Sequence, residues 1–406
     1  MSASTRFHGS AGTRRKAAVA AALCAALAAG AAAQQPPRSA SEDVENALVG
    51  IFKSIESHRL SEALARTEAL IAARPNYRLA HLIKGDLLLA RAHPVRTMGA
   101  APNAPPERVR ELREEALVRL AAYRQRPPKD AIPRYLLQMR PDQRHAVVVD
   151  TRKARLYVYQ NDNGKPRFVA DYYISHGKMG AEKFREGDQK TPLGVYHVTA
   201  SLPKAKLADL YGDGAFPINY PNDWDRRNGR GGSGIWLHGT PSDTFARAPR
   251  ASDGCVVLSN QDLRSVAGLI QVGLTPVIIS EEVEWLSLDD WNNERRALLG
   301  AIENWRRDWE SRDSDAYLSH YAKGFKGDGM NLKQWSERKR QVNAGKAWIK
   351  VALTNVSMFR YPGKSEMVVV TFDQEYKSSN LANTMRKRTY WQKEDGRWKI
   401  VDEGAA

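Results

Sequence analysis

The spacing of apolar residues changes character along this 406-residue chain, and a chain whose hydrophobic period switches cannot fold as one uniform layer. From Ser41 to about Gln125 the spacing is helical. Ala47, Leu48, Ile51, Phe52 and Ile55 recur on one face, as do Ala63, Leu64, Ala65, Leu70 and Ile71, and Asn76, Leu79, Leu82, Ile83 and Leu87 follow a break at Pro75. Breaks at Pro94–Pro106 and at Pro127-Pro128 end this region. Short strand-like runs come next, at Ala146–Asp150, Arg155–Tyr159, Phe168–Ser175, Val195–Thr199, Ile235–Leu237, Cys255–Leu258 and Pro276–Ser280, with Asn161-Asp162-Asn163-Gly164 as a turn. From about Leu288 a helical face (Leu298, Ile302, Trp305, Trp309) precedes longer strand-like runs at Trp348–Tyr361, Met367–Tyr376, Arg386–Gln392 and Arg397–Val401. Three regions agree with a length that allows two or three domains.

The middle region carries the chemistry. Of the two cysteines, Cys24 lies in an alanine-rich N-terminal stretch, so Cys255 is the one that a folded domain presents. It stands in Ser252-Asp253-Gly254-Cys255, seventeen positions after His238 of Leu237-His238-Gly239-Thr240. A thiol near its reference pKa of about 8.5 is mostly protonated at neutral pH, and an imidazole can take the proton or stabilise the thiolate. The bland alternative is a small buried hydrophobe ahead of Val256-Val257-Leu258. Gly254, which permits close backbone approach, and the polar pair before it place the thiol where a turn enters a strand, and favour a nucleophile.

Four motifs in order, Glu186-Gly187-Asp188, Lys190-Thr191-Pro192-Leu193-Gly194-Val195-Tyr196, Leu237-His238-Gly239-Thr240 and Ser252-Asp253-Gly254-Cys255-Val256-Val257-Leu258, resemble those of the L,D-transpeptidase (YkuD-type) catalytic domain. The resemblance covers about Arg144 to Ser280 and implies acyl transfer on peptidoglycan stem peptides. It makes Cys255 the nucleophile and His238 the base. The Gly239 carbonyl would hold the imidazole tautomer, and the N–H groups of Gly254 and Cys255 would line an oxyanion hole. Many relatives carry histidine before the Gly-Cys pair and arginine two positions after the cysteine, where this chain has Asp253 and Val257. Ser252, Asp253, Arg250 and Arg230 are the candidate substrate-binding residues, with Arg247, Arg226 and Arg227 as further sources of charge. The thioester would pass to an amine or protein acceptor or to water. Transpeptidation leads this reading, a hydrolase with the same residues is its alternative, and a wall-binding protein with a vestigial site is a third.

Two further resemblances complete the expected architecture. Residues 41–126 resemble a tetratricopeptide-like unit, but with barely more than one repeat visible they read as a helical hairpin packed on the next domain. Residues 288–403 are similar to a SnoaL-like (nuclear transport factor two-like) α+β cone, whose aromatics read as core and whose role reads as binding or assembly. The expected fold is thus a helical hairpin, a mostly-β sandwich or partly closed barrel over 144–281, and the cone.

Arg14-Arg15-Lys16, an apolar stretch from Ala17 to Ala33 and Ala31-Ala32-Ala33 before Gln34 have the layout of a secretory signal peptide over residues 1–33, so the expected location is the periplasm. Leu23 before Cys24 is too large for a lipoprotein box, and no bulky apolar residue follows the paired arginines, so general secretion without lipidation is expected. No later stretch has the apolar length of a membrane span, and no stable membrane insertion is expected. The formal charge of +16 includes four positive residues and no acids in 1–33, which leaves +12 after cleavage. No helix-turn-helix, zinc-finger or aromatic-basic motif accompanies that charge, so an anionic envelope polymer, not nucleic acid, is the expected partner. His176 and His197 fall in no ligand pattern, and neither metal nor cofactor is expected.

Overall fold

The computed structural model describes residues 1–2, 39–101, 103–128, 130–363 and 366–406, so the signal-like segment lies, after its first two residues, outside the described residues. The helical region is larger than a hairpin. It holds α1 (Ala40–Glu56), α2 (Leu60–Ala73), α3 (Arg78–Leu89) and α4 (Pro106–Arg124). Val44, Leu48 and Ile51 of α1 pack with Ala63, Leu64, Leu79, Ile83 and Ala116 in one core. Helix α4 escapes a periodicity reading because its buried face is mixed: Val109 and Ala116 share it with Glu115 and Arg119.

The middle region is a sandwich of two sheets. One orders its strands Lys165–Tyr173, Arg155–Asp162, His145–Asp150, Pro276–Ser280 and Gly194–His197, and the other Val256–Val257, Trp236–His238, Gly214–Pro217 and Leu202–Pro203. The central pair of the larger sheet runs parallel, with Val147 against Val277 and Val149 against Ile279. Those four side chains enter the sandwich core beside Leu237 and Val256. Their neighbours Ala146, Val148 and Ile278 enter a second core with Phe359, Met367, Val369 and Tyr390 of the C-terminal region. A sheet covered on both faces needs apolar residues at successive positions, which is why Val147-Val148-Val149 and Val277-Ile278-Ile279 are unbroken runs.

The C-terminal region opens with the helix Leu288–Ser311, capped by the Ser287 hydroxyl, which accepts from the Asp290 N–H. Its Trp291, Leu298, Ile302, Trp305 and Trp309 pack onto a seven-stranded sheet ordered Met330–Asn331, Tyr321–Gly327, Arg397–Ala405, Leu381–Glu394, Met367–Ser378, Ile349–Arg360 and Leu136–Gln138. The last of these comes from the linker between the helical and middle regions, far from the others in sequence. It pairs Gln138 with Met358 and Leu136 with Phe359.

Buried polar groups fasten the helices to the sandwich. Ser41 donates its hydroxyl to Asp262 (2.7 Å) and accepts from the Tyr173 N–H (2.9 Å). Arg155 bridges Glu45 of α1 and Asp171, while Arg119 of α4 meets Glu115 at 2.8 Å and Glu45 at 3.6 Å. The Arg119 guanidinium also lies 3.6 Å from the Tyr173 ring centre. Charges so deeply buried persist only when paired in this way. No described helix is long and apolar enough to cross a membrane.

Candidate active site

His238 ends the strand Trp236–His238, and Cys255 immediately precedes the parallel strand Val256–Val257. The register pairs Leu237 with Val256 and His238 with Val257, so its continuation sets Cys255 beside Trp236. Side chains alternate along strands. Because Leu237 and Val256 point into the sandwich core, Trp236, His238 and Cys255 share the opposite face. Two residues of rise and one strand spacing separate Cys255 from His238, roughly 8 Å between Cα atoms.

Each reactive group is held by a main-chain carbonyl. His238 Nδ1 lies 2.7 Å from the Gly239 carbonyl, and since a carbonyl can only accept, Nδ1 carries the proton and Nε2 keeps its lone pair. Tyr211 meets the ring edge-on at 5.1 Å and leans on Trp236 at 4.8 Å. The half-buried thiol donates to the Gly234 carbonyl at 3.3 Å. Burial, helped by the charge of Arg247 and opposed by the Gly239 carbonyl, pushes the His238 pKa down to about 4. Burial also pushes Cys255 above the usual thiol range, while the Trp236 N–H and Arg247 pull the other way. Both shifts favour the uncharged forms, thiol at Cys255 and imidazole at His238.

The loop before the thiol is built from backbone contacts. Gly254 has φ +128°, and a Cβ there would stand 2.7 Å from the Lys190 carbonyl, so only glycine fits. Thr191, fully buried, donates to the Gly254 carbonyl (2.9 Å) and accepts from the Gly177 N–H (2.9 Å). Asp188 gathers the N–H groups of Phe184, Arg185 and Lys190 with Lys183 Nζ, and these donors hold its carboxyl down at about 2. The two upstream motifs are thus the brace for Gly254. On the histidine side, Asn260 accepts from the Asp213 N–H (2.9 Å) and donates to the Thr240 carbonyl (2.8 Å), and its Oδ1 would stand 2.1 Å from a Cβ on Gly239.

Two expected roles need correction. Ser252 is buried, and its hydroxyl donates to the Cys255 carbonyl (2.6 Å) while accepting from the Gly254 N–H (3.1 Å). It braces the loop and has no face for substrate. For the same reason the Gly254 N–H is already engaged and is no free oxyanion donor. Asp253 lies exposed on the rim, with Lys178 at 3.0 Å and Gln189 at 3.2 Å. Arg250 pairs with Glu114 of α4 at 2.8 Å. Arg230 lies over Phe184 and faces Asp225 (3.8 Å) and Glu182 (3.9 Å). Arg226 pairs with Asp223, and Arg227 with Asp402 of the C-terminal sheet. Arg247 alone among these arginines acts by its charge on both reactive side chains. Thr191 stood within a quoted motif, but Asn260 and Gly234 carried no signal, since the roles they play are made by an amide brace and a main-chain oxygen.

Among the described residues no group of three or more His, Cys, Asp or Glu side chains is placed to hold a metal.

The description "L,D-transpeptidase catalytic domain" matches residues 144–279, and "Cds6 C-terminal NTF2-like domain" matches residues 297–404. Among solved structures, Bd1075 of Bdellovibrio bacteriovorus is similar at 31% identity and TM-score 0.61, over 68% of this chain and 98% of its own. Pgp2 of Campylobacter jejuni, described as a helical cell shape determining protein, is similar at 27% identity and TM-score 0.57, over 66% of this chain and 95% of its own. A variant of that protein aligns over 74% of this chain and 100% of its own, at 25% identity and TM-score 0.58. No curated protein matches the chain.

Proposed function

Because the chain belongs to the L,D-transpeptidase (YkuD-type) family and carries an NTF2-like domain after the catalytic one, we propose that it is a cysteine-dependent acyl-transfer enzyme of peptidoglycan stem peptides, exported to the periplasm. The observation that carries this reading is the Nδ1–H donation to Gly239, which leaves Nε2 of His238 basic on the strand face that Cys255 shares. Cys255 Sγ attacks the carbonyl of an L-centre while Nε2 takes the thiol proton. The C–N bond then breaks, the imidazolium returns the proton to the departing D-residue amine, and a thioester remains. The Cys255 N–H is the oxyanion donor of this scheme, since that of Gly254 is engaged. An amine attacking the thioester makes a cross-link or attaches an acceptor; water releases a trimmed stem.

Hydrolysis is the second reading, favoured by Val257. It is buried and apolar where relatives carry an arginine that could steer an acceptor carboxylate. The similarity to a cell shape determining protein extends the proposal to a part in cell shape under either outcome. Mass spectrometry of disaccharide tetrapeptides incubated with the full chain and with Cys255→Ala tests both. A Cys255-dependent dimer establishes transpeptidation, tripeptide without dimer establishes hydrolysis, and no Cys255-dependent product refutes catalysis and leaves a wall-binding protein.

A further inference from the structure

A cavity of about 750 Å³ opens between the helical region and the segment that leads into the thiol loop. Arg78 at the start of α3 and Arg108 and Arg110 near the start of α4 line one wall. Arg247 and Arg250 line the other, with Lys178 at the rim. Glu111 is the one acid that lines it. Most of these cations are neutralised: Arg108 by Glu111, Arg110 by Glu107, Lys178 by Asp253 and Arg250 by Glu114. Arg78 and Arg247 have no carboxylate within ion-pairing distance among the described residues. Arg78 makes only a long contact to Thr244 Oγ1, at 3.4 Å. The half-buried Arg247 has given up hydration while Asp253 acts on it only from beyond ion-pairing distance, an arrangement that an arriving anion relieves.

Both walls are fixed in place. Tyr173, whose ring carries Arg119 of α4, donates its hydroxyl to the Arg247 carbonyl at 2.8 Å, so the helix and the arginine-bearing segment share one support. The cavity is therefore preformed, which spares a ligand the cost of ordering it. The cavity adjoins the thiol loop, since Lys178 at its rim pairs with Asp253, two residues before Cys255, at 3.0 Å, and its lining residues Arg250 and Ala251 lead directly into Ser252.

We propose that the N-terminal helices are the second wall of the substrate cleft, and that Arg78 with Arg247 clamps a free carboxylate of the stem peptide remote from the scissile amide. This rests on the peptidoglycan reading above and gives the helices a function in it: selecting stems with free over amidated carboxylates. Guanidinium forks match carboxylates with paired N–H donors, and each such charge-assisted bond is worth about 1.5–3 kcal/mol, or roughly 10- to 100-fold in affinity.

The test separates binding from catalysis. Full-chain Cys255→Ala is titrated calorimetrically with a tetrapeptide stem bearing free carboxylates and with its amidated counterpart, and the titrations are repeated with Arg78→Gln added. Amidation is expected to weaken binding at least about 10-fold. Arg78→Gln is expected to weaken the free peptide by a similar factor and the amidated one by less than about 2-fold. In the Cys255 enzyme Arg78→Gln raises KM by that factor and leaves kcat within about 2-fold. Equal loss on the two peptides, loss on neither, or no preference for the free carboxylate overturns the proposal. Should Arg78→Gln unfold, Arg247→Gln in the same Cys255→Ala chain, the other half of the clamp, carries the same binding comparison with the same expected loss on the free peptide. An enzyme without turnover would refute the acyl-transfer reading, while the titration would still decide the cleft.

Discussion

Ser252→Ala tests whether the hydroxyl beside the thiol serves the loop or the substrate. The substitution deletes one oxygen and leaves two buried main-chain groups without their partner, the Cys255 carbonyl at 2.6 Å and the Gly254 N–H at 3.1 Å. An unsatisfied buried group costs about 1–3 kcal/mol, so the pair costs about 2–6 kcal/mol, a loss that a unit of this size survives with a Tm several degrees lower. The functional effect falls on geometry. Without the brace the residue that carries Sγ is free to shift, and a displacement of about 1 Å at a reacting atom costs about 100-fold in rate. Urea unfolding gives the first quantity, and steady-state turnover of a disaccharide tetrapeptide followed by mass spectrometry gives the second. The expected pattern is lower stability and kcat reduced about 10- to 100-fold with KM within about 2-fold. A raised KM with kcat and Tm unchanged would show Ser252 touching substrate and refute the bracing argument. No change in any of the three would refute it as well.

Stability should fall with acid in a defined window. His238 and His176 are both buried with pKa values pushed down to about 4, below the about 6.5 of an unfolded histidine, so between those limits the unfolded chain binds more protons. Their contribution is complete above pH 6.5 and lost as pH falls toward 4, up to about 3 kcal/mol each. Urea titrations of Cys255→Ala across that window should flatten when His176→Gln is added, and an unchanged slope would refute the assignment. Trp224→Ala should loosen the Asn222–Gly234 loop, because Trp224 stacks on Tyr390 of the C-terminal sheet at 4.9 Å. Its loss is worth about 3 kcal/mol and should lower kcat and speed alkylation of Cys255, whereas unchanged alkylation would mean the stack does not restrain Gly234.

What was legible in the sequence follows from which groups need a particular side chain. Thiol and imidazole are the side chains that the proposed attack and proton transfer call for, so Cys255 and His238 stand out by residue type, and the sheet register places both on one strand face. The unbroken apolar runs foretold strands, yet not that the second face of that sheet is covered by the C-terminal region, because an apolar run looks the same whatever covers it. Helix α4 and the strand Leu136–Gln138 were hidden for opposite reasons. One buries Glu115 and Arg119 where a periodic stripe would hold leucines, and the other is a short segment whose pairing depends on where the chain returns some 220 residues later. A hydroxyl three positions before a thiol reads alike whether it meets substrate or backbone, and the burial of Ser252 against the loop is what the sequence does not carry.

The groups that hold the reactive atoms are main-chain oxygens, and their supports come from all three regions. The Gly239 carbonyl that fixes His238 is boxed in by Asn260 of the sandwich itself. The Gly234 carbonyl that accepts from Sγ ends a loop which Trp224, Arg227 and Asn222 tie to Tyr390, Asp402 and Tyr361 of the C-terminal region. Arg247, the charge closest in effect to both reactive groups, hangs from Tyr173, which α4 clasps through Arg119. Neither flanking region contributes the nucleophile or its base, yet each holds one support of the site. A lesion in either is therefore expected to appear as misplaced chemistry before it appears as unfolding, since every buried residue of the sandwich core, Val147, Leu237, Val256 and Ile279 among them, comes from the middle region.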